Sequence, residues 1–236
     1  MNHTNSEPES IRLRYARRES GDRYSFLRSE VWQSVQEMQH QILLLFSKRL
    51  GWKDFKGRTL TEVGCGAGGN LLDFLRYGFS PELLCGIELL PERVTAARTI
   101  LPAKLPIYQG DAARINVEEG TQDVVFQSVV FSSLLDDGFQ EELADRMWRW
   151  VKPGGGVLWY DFIYNNPSNP DVRGVPVRRI RELFPEGKFL VRRVTLAPPV
   201  SRRVCRIHPG LYRLFNSIPL LRTHVLCWIE KDKDDA

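Results

Sequence analysis

Residues 59–70 read Thr-Leu-Thr-Glu-Val-Gly-Cys-Gly-Ala-Gly-Gly-Asn, and LLDFL follows. Two β-capable residues and an acid lead into glycines at 64, 66, 68 and 69, and then into a stretch that reads as a helix. Strand, glycine turn and helix, in that order, bring the backbone of a parallel α/β sheet against a nucleotide-like ligand. Gly64 permits the tight turn, Gly66 leaves no Cβ to obstruct a ligand, and Gly68 or Gly69 lets the next helix pack close to the strand. Gly64, Gly66 and Gly69 also satisfy the spacing of a dinucleotide turn, which holds a pyrophosphate on the positive end of a helix. Glu62 would repel that anion and suits a cationic amino group far better.

The acid-x-Gly-x-Gly-x-Gly run of Glu62, Gly64, Gly66 and Gly68 resembles the first motif of the class I methyltransferases. Their donor, S-adenosylmethionine, carries an amino group and a sulfonium and no phosphate. Further matches follow along residues 58–162. LLCGIEL reads as a second buried strand ending at Glu88, 22 residues beyond Gly66 and next to Leu89. An acid there binds a ribose through its two hydroxyls. Asp111 and Ala112 stand where the family meets the adenine amino group, although Gly-Asp is also a common turn. DVVF is a fully buried parallel strand, with Gln127 and Ser128 at its carboxyl end, where ligands of open α/β sheets bind. Lys152-Pro153-Gly154-Gly155-Gly156 reads as the tight turn, frequent in the family, into a fifth strand, VLWYDF. The resemblance implies a three-layer Rossmann-like α/β fold with a seven-stranded, mostly parallel sheet and an antiparallel last strand. It implies S-adenosylmethionine as cofactor, held by Glu62, Gly64, Cys65, Gly66, Gly68, Glu88, Leu89, Asp111, Ala112 and Gln127.

The length of 236 residues and a 42% hydrophobic fraction fit one domain with insertions. The organisation expected is a tail, lid and helix over 1–50 and a methyltransferase domain over 51–236, with basic insertions at 164–187 and 197–223. Residues 1–10 are expected to be disordered. Residues 11–28 carry six arginines and two tyrosines and read as a lid. Tyr15 and Tyr24 are its aromatic candidates for the sulfonium, since a ring face attracts a cation, with Tyr24 the assigned contact; packing of the lid is an equal reading. Residues 29–50 form an amphipathic helix through Val31, Val35, Met38, Ile42 and Leu45.

The longest apolar cluster, ILLLF at 42–46, is far short of the roughly 20 residues that cross a bilayer. The amino terminus lacks a signal-peptide core. Cys65, Cys85, Cys205 and Cys227 show no metal or disulfide spacing, so reduced thiols, a cytoplasmic location and no metal are expected. The net charge of +4 hides a segment, 173–222, that alone carries +10. It points to an anionic partner or to a solvated face.

In-line methyl transfer needs donor and acceptor held together, and no protein nucleophile. A hydroxyl acceptor also needs a base, for which Asp161, past the fifth strand, and His208 are the candidates. Asn165, Asn166, Arg173 and Arg178 are the candidate acceptor-binding groups, suited to hydroxylated or anionic molecules. An Asn-Pro turn with local capping explains the asparagines equally well. FLVRRVTLA and HVLCWIEK read as the final antiparallel pair. Arginines mixed with apolar residues between them suit a membrane surface, a lipid-linked acceptor or a lid helix. The carboxy-terminal pattern also resembles methyltransferases of sugar and polysaccharide biosynthesis. The expected partner is therefore a small polar acceptor, anionic, sugar-like or lipid-linked, with no nucleic acid. The rival readings are an RNA or protein methyltransferase, a nicotinamide-dependent oxidoreductase and a non-catalytic cofactor-binding protein.

Overall fold

A computed structural model describes residues 6–17 and 21–233. Seven strands form one sheet: β1 (Leu60–Val63), β2 (Leu84–Glu88), β3 (Ile107–Gln109), β4 (Gln122–Ser128), β5 (Val151–Phe162), β6 (Lys188–Leu196) and β7 (Arg222–Glu230). Their spatial order is β3-β2-β1-β4-β5-β7-β6, and β7 runs antiparallel to both β5 and β6. The chain order reverses between β1 and β4, which opens a crevice at the carboxyl ends of those two strands.

Both faces of the sheet are covered, which is why β1 and the centre of β4 are continuous buried runs. Strand alternation sends Leu158 and Tyr160 to one face and Val157 and Trp159 to the other. The first face packs on α2 (Ser29–Leu44), α3 (Gly69–Tyr77) and α4 (Pro91–Ile100), around Phe46, Leu71, Phe74 and Trp228. The second packs on α5 (Asp137–Trp150) and α6 (Val177–Leu183), around Phe131, Met147, Trp150 and Phe184.

Three local features differ from the sequence-based expectations. Of the tail expected to be disordered, residues 1–5 lie outside the described residues, but Glu7–Ala16 form a helix, α1. Pro8 and the acids Glu7 and Glu9 favour its first turn, and the Leu135 amide donates to Glu7 Oε1 at 2.7 Å. The expected helix over 29–50 becomes a π turn at Leu45–Arg49, closed by the Leu50 amide on the Leu45 carbonyl at 3.0 Å. Lys152–Gly156 belong to a bulged β5 whose register against β4 slips between Gln122 and Val124. The Lys152 and Arg58 side chains both pair with the buried Asp123 carboxylate at 2.7 Å and hold the bulge.

The second insertion occupies the same edge of the sheet as the crevice. β6 ends there at Leu196 and leads into α7 (Pro198–Ile207) and α8 (Leu211–Asn216) before β7 begins. No helix among the described residues is long and apolar enough to cross a membrane.

Candidate functional site

The turn after β1 is shaped by positive φ angles at Gly64 (66°), Gly66 (55°) and Gly68 (86°), a region that L side chains avoid. A Cβ at Gly64 would lie 2.5 Å from Val130 Cγ2, and one at Gly68 would lie 2.7 Å from Leu101 Cδ1. At Gly66 a Cβ would meet nothing closer than the Arg93 guanidinium at 4.0 Å, so the turn is open on that side. Gly68 therefore seats the turn against α4, a variation on its expected role beside the strand.

Two carboxylates bracket the turn. The Gly66 amide donates to Glu88 Oε2 at 2.8 Å and the Leu90 amide donates to Oε1 at 2.9 Å. Each oxygen keeps lone-pair capacity for a further donor. Glu62 is fully buried; the Asn70 amide donates to its Oε1 at 2.6 Å, and its Oε2 has no partner among the described residues. Burial, reinforced by the nearby Glu88 and Asp73 charges and opposed by Asn70, pushes the Glu62 carboxyl up to about 8. Burial likewise pushes the Cys65 thiol up, which keeps it an inert packing residue.

The cavity beside the turn is lined by Gly64, Glu88, Leu89, Arg93, Asp111, Ala112, Ser128, Val129 and Val130, among others. Asp111 Oδ1 accepts from the Ala113 amide at 2.9 Å, which fixes the loop after β3. Val129 holds φ at 57°, strained for a β-branched residue. Its amide donates to the Tyr160 carbonyl at 2.8 Å, and Gln127 Oε1 accepts from the Val130 amide at 3.0 Å. Gln127 is thus buried beneath the turn and shapes it from outside the cavity.

Helix α1 roofs this cavity with Pro8, Ile11 and Tyr15. Buried Arg14 pairs with Glu7 at 2.7 Å and donates to the Ser133 carbonyl at 2.9 Å. The Arg93 guanidinium stacks on the Tyr15 ring at 4.5 Å. The lid reading thus falls on Tyr15. Tyr24 is 80% exposed and does not line the cavity, a correction that follows from its place beyond the end of α1. Sequence reasoning missed Arg93, Val129 and the Glu7–Arg14 clasp; the acid at 7 and base at 14, two helical turns apart, were its visible trace.

Other candidates fall elsewhere. Asp161 is fully buried, with the Ser132 amide donating to Oδ2 at 3.1 Å and the Phe162 amide to Oδ1 at 2.9 Å. Burial pushes it up to about 7, yet it does not line the cavity and instead ties down the turn after β4. His208 caps its own turn on the exposed end of α7, accepting from the Gly210 amide at 3.1 Å, so neither candidate base is brought to the cavity. Asn165 accepts from the Gly174 amide at 2.9 Å and Asn166 from the Ser168 amide at 3.1 Å, as local loop caps. Arg173 pairs with Asp137, and Arg178 pairs with Glu182 on the outside of α6 at 2.8 Å. None of these four residues lines the cavity.

A separate polar cluster closes the far end of the same edge. Glu37 accepts from the Thr195 amide at 3.1 Å and from the Tyr212 hydroxyl at 2.9 Å. The Tyr160 and Thr195 hydroxyls lie 2.8 Å apart, and His224 stacks on Tyr160 at 5.2 Å. Burial pushes His224 down to about 4.

Residues 61–159 match the family model of a methyltransferase domain. The tRNA N(3)-methylcytidine methyltransferase Mettl2 of Drosophila melanogaster is 27% identical over 113 residues, 44% of this chain and 34% of its own length. The chain thus spans about a third of that curated relative. A SAM dependent methyltransferase from Archaeoglobus fulgidus superposes with a TM-score of 0.58 at 13% identity, over 82% of this chain and 94% of that one. Phosphoethanolamine N-methyltransferase 2 of Haemonchus contortus, solved with S-adenosyl-L-methionine, gives 0.57 at 17% identity, over 82% of this chain and 53% of that one. At such identities the likeness is one of fold.

Proposed function

We propose that the chain is a class I S-adenosylmethionine-dependent methyltransferase that methylates an oxygen or nitrogen of a small polar, anionic or sugar-like acceptor. The observation that carries the small-acceptor reading is the clasped lid. Helix α1 closes over the cavity through Arg14, Glu7, the Ser133 carbonyl and the Leu135 amide. A polymeric acceptor would have to break that clasp, whereas a small one enters with the lid mobile and reacts under it.

The residues present fit the cofactor. Glu62 Oε2 is a buried acceptor lacking a donor, and the methionine amino group would supply one. Glu88, held by two backbone amides, would accept from the ribose hydroxyls. Asp111 and Ala112 would flank the adenine. When bound, S-adenosylmethionine supplies a methyl carbon already activated by its sulfonium. The chain's own work is then orientation and exclusion of water. The apolar wall of Leu89, Leu90, Val129 and Val130, under the roof of Ile11 and Tyr15, keeps donor and acceptor dry and close. His224 is held neutral by burial, and neither Asp161 nor His208 lines the cavity. An amine arriving neutral, which needs no base, suits such a site.

The Drosophila relative acts, by its name, on tRNA. That weighs against the expectation of no nucleic acid and supports RNA methylation as the second reading, together with the basic insertions. The test is S-adenosylhomocysteine release with panels of sugars, sugar phosphates and phosphorylated amines, set against total tRNA. Turnover with a member of the small panels is expected; turnover with tRNA alone would overturn the small-acceptor reading.

A further inference from the structure

The second basic insertion carries an exposed face that methyl transfer does not use. On α7, Ser201, Val204 and Cys205 are buried, while Arg203, Arg206 and Ile207 face solvent, Ile207 at 79%. On α8, Tyr212 is buried, and Arg213 and Leu214 turn outward. Leu220, in the turn leading into β7, is 83% exposed. Gln33 of α2 donates to the Pro209 carbonyl between α7 and α8 at 2.9 Å. That contact fastens α2 to the turn between α7 and α8. Arg202, Arg203, Arg206 and Arg213 form no ion pair with any described residue. The face lies at the crevice edge of the sheet, since α7 and α8 connect the end of β6 to the start of β7.

We propose that this face docks on an anionic lipid bilayer, Ile207, Leu214 and Leu220 entering the headgroup boundary while the arginines pair with lipid phosphates. Exposed aliphatic side chains at Ile207, Leu214, Ile218 and Leu220, all within one short insertion, exceed the singly scattered apolar residues of an ordinary soluble face. Interleaved with unpaired arginines, they make the composition of an interfacial helix. A single-stranded RNA surface would instead present aromatic rings for base stacking, whereas the large apolar side chains exposed along α7, α8 and the following turn, Ile207, Leu214, Ile218 and Leu220, are aliphatic. The charge matches the partner: α7 and α8 carry Arg202, Arg203, Arg206 and Arg213 and no acidic residue, and each arginine near an anionic membrane strengthens binding about fivefold. Docked this way, the carboxyl edge of the sheet faces the bilayer. The inference holds whichever acceptor is methylated.

The test is flotation of the full chain with vesicles of phosphatidylcholine alone and of phosphatidylcholine mixed equally with phosphatidylglycerol. Binding to the anionic vesicles and much weaker binding to the neutral ones is expected. The double variant Ile207→Ser/Leu220→Ser should lower the partition about tenfold or more, and Arg203→Glu/Arg206→Glu by a similar or larger factor. S-adenosylhomocysteine affinity should stay unchanged in both variants, which shows that they fold. Absence of binding to anionic vesicles overturns the proposal. So does binding that the serine variant leaves untouched, or a tRNA gel shift at the same salt that depends on the arginines alone. A concentration-dependent dimer that the serine variant abolishes would assign the face to a second copy of this chain.

Discussion

The carboxyl edge of the sheet has two halves built by different means. Over β1, β2 and β3, backbone does most of the work: three glycines at positive φ, two strand-end carboxylates and an Asx turn at Asp111. Over β4, β5, β7 and β6, the edge is made by partners distant in the chain, such as the lid helix on Ser133 and Leu135 and α2 on Thr195 and Tyr212. The first half is a socket that any ligand with the cofactor's shape would share. On the proposed function, the second decides what is methylated. A cofactor therefore needs only local geometry, whereas acceptor choice needs the whole tertiary arrangement.

The strongest way to break this contrast is Glu88→Ala. Its carboxylate makes charge-assisted hydrogen bonds on both sides of the turn. Losing two such contacts to the ribose should cost about 4 kcal/mol, roughly a thousandfold in S-adenosylhomocysteine affinity by calorimetry. Affinity within about threefold of wild type would remove Glu88 from the socket.

Arg14→Met probes the other half. It leaves the Glu7 carboxylate buried without its cation, a loss of about 3 kcal/mol that should appear as local opening of α1. Hydrogen exchange of residues 7–16 should speed up while that of β1 and β2 is unchanged. Uniform loss of protection would mean that the clasp supports the whole domain and that the halves are not separable.

The same division explains what the sequence made legible. The glycine turn, Glu62, Glu88 and the buried parallel strands follow from short-range patterns: glycine spacing, an acid at a strand end, and continuous apolar runs. Asp161 was misplaced because its chain position, just past the apolar core of β5, says nothing about where its side chain points. The Ser132 and Phe162 amides draw it away from the cavity. Tyr15 and Tyr24 could not be told apart, since the choice depends on Arg93 and on a helix fastened to Leu135, 128 residues from Glu7. Asn165 and Asn166 read as ligand groups because a loop cap and a ligand contact use the same side-chain oxygen.

Glu62 allows a finer test of the socket. Between the ordinary carboxylate range and about 8, the folded chain keeps a proton that the unfolded chain has lost. Stability should therefore fall as pH rises through that window, by at most roughly 1.4 kcal/mol per pH unit. Glu62→Gln should flatten this slope in urea titrations run from about pH 5 to about pH 8. Cofactor binding should also release a proton near neutrality, seen as a buffer-dependent calorimetric enthalpy that the glutamine variant lacks. An identical pH slope in both proteins would show that Glu62 is ionised in the folded chain and that its second oxygen finds a donor.

The smallest expected effect comes from Arg178, the arginine whose charge suggested an acceptor contact. It lies on the outer side of α6, nine-tenths exposed, in an i,i+4 pair with Glu182. Such pairs contribute about 0.3–0.5 kcal/mol. Arg178→Ala should thus shift the urea midpoint only slightly and leave methyl transfer unchanged. Arg179, one position on, is different: it reaches Gln140, Glu141 and the Asp137 carbonyl and ties α6 to α5. Its replacement should be felt in stability. If Arg178→Ala instead raised KM for the acceptor while stability held, α6 would have to swing over the crevice in the working enzyme. The acceptor half would then be assembled by the substrate, in contrast to the standing socket beside it.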